Sequence, residues 1–122
     1  MNVEFKSSEP LYRQIMNEFK RQIVSGARRP GDKVEPVRDL AVTLQVNPGT
    51  LQRAFLELER EGLLFTERTS GRFVTTDPGR IDRLRNESLR RTVSGFIAEM
   101  RAAGVSNAEI IRLVGDCMKG GA

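Results

Sequence analysis

The side chains in this sequence that could do chemistry are built to form hydrogen bonds rather than to attack or coordinate. Asn47, Thr50, Gln52 and Arg53 cluster in one short stretch, with Gly49 among them. Glutamine can pair with adenine and arginine with guanine through two hydrogen bonds each, threonine can bond a base or a phosphate, and glycine lets a backbone approach closely. The groups that usually run catalysis are scarce. The chain has no histidine and a single cysteine, so the commonest general base is absent and no thiolate metal cluster can form. Glu57, Glu59 and Glu61 alternate around a helix instead of converging, which reads as a solvated face, and no glycine-rich phosphate loop follows a strand. This inventory disfavours an enzyme, a metal or a bound cofactor. It suits a surface pressed against a DNA duplex, and equally the polar face that any surface helix carries.

To read base edges, those residues must stand on a helix whose first residue is fixed. Val37, Leu40, Ala41 and Leu44 fall at i, i+3, i+4 and i+7, and Leu51, Ala54, Phe55 and Leu58 repeat the spacing, so two amphipathic helices are expected with a tight turn between them. Asn47 suits the N-cap of the second helix and Pro48 its first position. The start of a recognition helix decides which side chains reach the groove. Pro36 is expected to open the first helix of the pair at N1 in the same way.

Gly62 is expected to end the second helix. Leu63–Glu67 and Phe73–Thr75 then read as two strands across Arg68-Thr69-Ser70-Gly71-Arg72. A hairpin directly after a recognition helix is a wing, and its tip, with Arg68 and Arg72 around Ser70 and Gly71, suits phosphate contact or insertion into the minor groove. Upstream, Leu11, Ile15, Phe19 and Ile23 mark a helix opened by Pro10 at N1 and closed by Gly26, with Tyr12 as core packing. Arg28 and Arg29 read as a solvated turn, and Lys33-Val34 as a short strand joining the wing.

Taken in order, Pro10-Leu11-Tyr12-Arg13-Gln14-Ile15, Ile23-Val24-Ser25-Gly26, Pro30-Gly31-Asp32-Lys33, Val37-Arg38-Asp39-Leu40-Ala41, Val46-Asn47-Pro48-Gly49-Thr50 and Glu57-Leu58-Glu59-Arg60-Glu61-Gly62-Leu63 strongly resemble the GntR family of bacterial winged-helix transcription regulators. The resemblance covers residues 9 to 75 without gaps. It implies DNA-contacting roles for Arg38, for Asn47, Gly49, Thr50, Gln52 and Arg53, and for the wing glycine Gly71, beside which the composition of the tip adds Ser70 and Arg72. Three places depart from the family pattern. Val34-Glu35-Pro36 replaces Leu-Pro-Ser, Gly49 stands where a side chain often reads a base, and Thr69-Ser70 replaces Gly-Lys.

A boundary is expected at Thr76-Asp77-Pro78-Gly79, giving a DNA-binding domain over 1–76 and a helical tail over 77–122. Ile81, Leu84, Leu89, Val93, Phe96, Ile97 and Met100 stripe a long helix that Gly104 can end. Ser106 with Glu109 makes a capping box for a last helix carrying Ile110, Ile111, Leu113, Val114, Cys117 and Met118, with Cys117 read as a packed apolar residue. Two such helices cannot enclose a core. Their apolar faces must be covered by the winged domain or by a second copy, and the homodimer is favoured because two linked heads raise avidity on a palindrome. Val93, Phe96, Ile97 and Met100 are the candidate dimer interface. The tail also resembles that of the short, YtrA-like branch of the family, whose tails dimerise; the longer branches carry an effector-binding domain for which this chain has no room, and no effector can be named.

The net charge of +4 is too mild to imply nucleic acid by itself, so local placement of Arg38, Arg53, Arg68 and Arg72 counts for more. The lone cysteine fits a reducing cytoplasm, no stretch is apolar enough to span a membrane, and the N-terminus lacks the apolar core of a signal peptide. The expected fold is mainly α with a small β-hairpin wing: a winged helix-turn-helix followed by a two-helix tail. The expected function is that of a cytoplasmic, sequence-specific transcriptional regulator, a repressor, binding a palindromic operator as a homodimer. A nonspecific architectural DNA binder and a winged-helix protein-interaction module are the alternatives.

Overall fold

A computed structural model describes residues 3–120. Its elements run α1 (Leu11–Ser25), α2 (Val37–Leu44), α3 (Pro48–Arg60), β1 (Leu64–Glu67), β2 (Gly71–Val74), α4 (Pro78–Ala102) and α5 (Asn107–Met118). The expected stripes close a three-helix core. Ile15, Phe19 and Ile23 of α1, Leu40 and Ala41 of α2, and Leu51, Ala54, Phe55 and Leu58 of α3 are all buried, and Phe19 meets Phe55 edge to face with ring centroids 5.2 Å apart.

Two of the three prolines expected at N1 lie one place earlier. Pro10 and Pro36 have ψ of 135° and 145°, outside the helical region, and stand as N-caps: the Pro10 carbonyl accepts from the Gln14 N–H and the Pro36 carbonyl from the Leu40 N–H. A proline has no side-chain oxygen, so it aims the chain into the helix without capping it. Pro48 does occupy N1, because Asn47 precedes it and its side chain takes the Gly49 N–H at 2.7 Å. Between α2 and α3 the chain turns on Gln45, a non-glycine residue at φ 56° and ψ 46°. Its strain is held by two bonds, Gln45 N–H to Val42 O and Val46 N–H to Ala41 O.

At the end of α3, Gly62 at φ +76° allows the Leu63 N–H to close onto Leu58 O and its own N–H onto Glu59 O. Leu63 thus belongs to the helix end rather than to β1. The hairpin pairs Leu64 with Val74, Phe65 with Phe73, Thr66 with Arg72 and Glu67 with Gly71, which places Gly71 and Arg72 in β2 and leaves Arg68-Thr69-Ser70 as the tip. Phe65 and Phe73 stack across the strands at 5.6 Å. The Lys33-Val34 segment joins as expected: Lys33 bridges to Phe73, and the Val34 N–H donates to Arg72 O at 2.8 Å.

Arg28 corrects the reading of a solvated turn. Its guanidinium grips both oxygens of Glu35 at 2.7 and 3.0 Å, donates through Nε to Gln22 Oε1, and lies over the Phe19 ring. Loop 26–36 is thereby clamped to α1 through the residue with which sequence spacing associates no partner. The hydrogen bond from Arg28 holds the Glu35 carboxyl below its ordinary pKa, against the opposing effect of burial.

The chain divides into compact units at Arg85/Asn86, inside α4, rather than at Thr76/Asp77. The cause is that Leu84 is part of the winged core and Ile81 packs against it, so the opening turns of α4 belong to the first unit. In the second unit Ser106 caps α5 by accepting from the Glu109 N–H, and Ile110 is buried. Cys117, expected to be packed, is exposed.

Candidate nucleic-acid interface

The first turns of α3 present the surface that the sequence pattern requires. With Leu51, Ala54, Phe55 and Leu58 committed to the core, the helix turns Asn47, Gly49, Gln52 and Arg53 outward and leaves Thr50 half-buried. Gly49 has a local reason to be glycine: a Cβ there would come to 3.0 Å from the Asn47 Oδ1 that caps the helix. Arg38, on α2, is exposed as well. Among the described residues neither Arg38, Arg53 nor Arg68 takes part in an ion pair, so each keeps its charge available for a phosphate or a base edge. Arg53 lies instead over the Tyr12 ring, 3.9 Å from its centroid.

The wing differs from expectation in its arginines. Arg68 is exposed at the tip beside Thr69 and Ser70, and Gly71 takes φ +112°, which a residue with a side chain rarely adopts. Lys33 stands against that glycine, its Cε 3.1 Å from where a Cβ would sit, a neighbour the sequence reading did not place in the site. Its only signal was the short Lys33-Val34 strand expected to join the wing. Arg72, by contrast, is drawn back to α3: its Nε donates to Glu59 Oε1 at 2.7 Å and its guanidinium lies over the Phe55 ring. The expected tip position of Arg72 is corrected by the register, which puts it opposite Thr66. Thr66 donates its hydroxyl to the same Glu59 oxygen.

Glu57, Glu59 and Glu61 accordingly do not form a solvated face. Glu57 pairs with Arg60 at 2.7 Å, Glu59 ties down the wing, and Glu61 pairs with Lys20 at 2.8 Å. Burial pushes the Glu59 carboxyl up, but the hydrogen bonds from Thr66 and Arg72 prevail and hold it below its ordinary value. Glu59 and Glu61 thus fasten the wing and α1 to the C-terminal end of α3, whereas the Glu57–Arg60 pair stays within the helix.

Residues 11–74 match the model of the bacterial regulatory proteins, gntR family. The chain belongs to the GntR family. It is 33% identical over 121 residues to YhcF of Bacillus subtilis (strain 168), a helix-turn-helix transcriptional regulator, with 99% of this chain and 100% of that protein aligned. The B. subtilis transcriptional repressor YtrA is 39% identical over 75 residues, 62% of this chain and 58% of YtrA. Among solved structures, a GntR family transcriptional regulator from Listeria monocytogenes superposes with a TM-score of 0.84 at 39% identity, covering 92% of this chain and 98% of that one. The AraR DNA-binding domain in complex with an operator superposes at TM-score 0.52 and 28% identity, covering 62% and 88%. This GntR protein is therefore a DNA-binding transcriptional regulator of winged-helix fold with a short helical tail.

The tail's candidate interface is partly assembled. Phe96 and Met100 of α4 line an apolar groove of about 520 Å³ with Leu113, Val114, Cys117 and Met118 of α5. Val93 faces a separate shallow hollow beside Leu89, and Ile97 is half-buried. Phe96 is 40% exposed, Ile111 73% and Met118 82%, so much of the apolar surface of the second unit remains open. Among the described residues no helix is long and apolar enough to cross a membrane.

Proposed function

We propose that this GntR regulator is a cytoplasmic repressor that binds a palindromic operator as a homodimer. Arg53, Gln52, Thr50, Asn47 and Gly49 of α3 meet the major groove, Arg38 meets the flanking phosphates, and the wing tip around Ser70 and Gly71 follows the adjacent backbone or minor groove. Arg72 contributes a phosphate contact only through the part of its guanidinium that Glu59 does not engage. The single observation that carries the reading is the outward face of α3, where an uncompensated arginine and an amide stand beside a capped helix start. The operator in the AraR complex and the repressor named among the relatives support it.

Dimerisation is assigned to the tail, through Val93, Phe96, Ile97 and Met100 together with the exposed residues of α5. Open apolar surface of that extent on a small unit is the usual mark of a partner surface. The functional division then runs between a DNA-binding part that ends with the wing and a dimerising tail.

The test is selection of bound sequences by the full-length protein from a random duplex pool. Enrichment of one inverted repeat is the expected outcome. Binding without enrichment and with steep salt dependence would replace this reading with an architectural DNA binder, and no duplex binding at all would replace it with a protein-interaction module.

A further inference from the structure

We infer that Tyr12 of α1 is a positioning residue for Arg53, holding the guanidinium of the recognition helix in place while leaving all its hydrogen-bond donors free. The inference rests on the base-reading role proposed for Arg53. Three arginines of the winged unit lie over aromatic rings: Arg28 over Phe19, Arg72 over Phe55 and Arg53 over Tyr12. The first two are also tied to carboxylates, Glu35 and Glu59. Arg53 alone of the three is not. Its natural partner one turn on, Glu57, is engaged by Arg60 at 2.7 Å.

The chemical difference between the two ways of holding an arginine matters here. A carboxylate takes up N–H donors in a fork and offsets the charge. A ring face attracts the cation by its quadrupole and uses no N–H, so the planar fork remains whole for a guanine or a phosphate. The Arg53 stack is the tightest of the three at 3.9 Å. The ring is itself held: Tyr12 is half-buried against the core at the start of α1, and its hydroxyl accepts from Arg13 Nε at 3.3 Å. That hydrogen bond, with a smaller contribution from the charge of Arg53, also holds the Tyr12 phenol below its ordinary pKa, against the effect of burial.

A held arginine serves discrimination more than total affinity. Freed from the ring, Arg53 would still attract DNA, but it could satisfy its donors on neighbouring phosphates in any sequence. The experiment compares full-length wild type, Tyr12→Phe, Tyr12→Leu, Arg53→Ala and the Tyr12→Leu/Arg53→Ala double variant on two duplexes: the one selected from the random pool and a scrambled duplex of equal composition. Tyr12→Leu is expected to lower the preference for the selected duplex about fivefold, as loss of a cation–π contact of ordinary strength would, with little change on the scrambled one. Tyr12→Phe keeps the ring and is expected to keep the preference. In the Arg53→Ala background Tyr12→Leu is expected to add nothing.

An equal loss in both backgrounds would show that Tyr12 acts apart from Arg53 and would overturn the inference, as would an unchanged preference in Tyr12→Leu. Full preference retained by Arg53→Ala alone would refute the base-reading role itself, a failure seen without any Tyr12 variant. Should Tyr12→Leu fail to fold, the wild-type protein still decides: the Arg53 Cδ protons are expected to be shifted upfield by the ring current in the free protein, and random-coil values would overturn the proposal.

Discussion

Phe55 in the winged unit and Phe96 in the tail sit on helices with the same apolar periodicity, yet one is fully buried and the other 40% exposed. In the winged unit each stripe finds a partner: α1 and α2 close on α3, Leu63, Leu64 and Val74 of the hairpin region cover the end, and Leu84 adds the last side chain. Within the tail unit Ile110 is buried, while Leu89, Val93, Phe96, Ile111 and Met118 stay open. A stripe states that a helix has an apolar face. Whether that face closes within the chain depends on how many other faces it can meet, and two helices offer too few.

The largest effect that would sharpen this contrast is expected at Phe55. Phe55→Ala removes a ring packed edge to face on Phe19, and thermal or urea unfolding should show a loss of about 3 to 5 kcal/mol. A loss below about 1 kcal/mol, the range of a surface substitution, would break the picture of a closed core. Phe96→Asp should do the opposite. In sedimentation velocity the variant is expected to become a monomer, because a carboxylate cannot be buried unpaired in an apolar contact, while the winged unit stays folded and melts cooperatively. A dimer that persists with a lowered melting temperature would move Phe96 from an interface to an internal packing role.

Smaller effects test the fasteners of the winged unit. The Glu35 carboxyl is held below its ordinary pKa in the folded protein by Arg28, so the unfolded chain takes up its proton first as pH falls. Its contribution is therefore full above the ordinary carboxylate range and lost as pH drops through the lowered folded value. Glu35 is partly exposed, and the pair is worth no more than about 1 kcal/mol; Glu35→Gln should lower stability at neutral pH and flatten the acid limb of the stability curve. An unchanged acid limb would remove the clamp from the account. The smallest effect is expected at the turn between α2 and α3, where Gln45→Gly should relieve left-handed strain and raise stability by a few tenths to about 1 kcal/mol. A loss there would mean that the Gln45 side chain makes a contribution larger than its backbone strain.

What could be read from the sequence follows the same division. The α3 stripe, the Asn47 cap with Pro48 behind it, the Gly62 helix end and the Lys33-Val34 arm were all legible, because each is fixed by local chemistry. The parts that were not legible depend on contacts between elements. Arg72 was expected at the wing tip, since sequence does not reveal that the hairpin register sets it opposite Thr66 and within reach of Glu59. Arg28 looked solvated for the same reason, and so did Glu57 and Glu59 of α3 and Glu61 at its C-cap. The unit boundary moved from Thr76/Asp77 to Arg85/Asn86 because Ile81 and Leu84 carry the apolar spacing of a tail helix but pack on the winged core. The contact between Tyr12 and Arg53 joins the start of α1 to the start of α3, and no spacing rule links those positions.

The most direct test of the account is a comparison of how tightly the full-length protein binds the selected inverted repeat and a duplex carrying one half-site in the same flanks. A reading head on each of two copies joined by their tails predicts a preference for the repeat of about 10² or more at equal salt. Equal affinity for the two duplexes would contradict it, because then either the heads do not read half-sites or the tails do not join them.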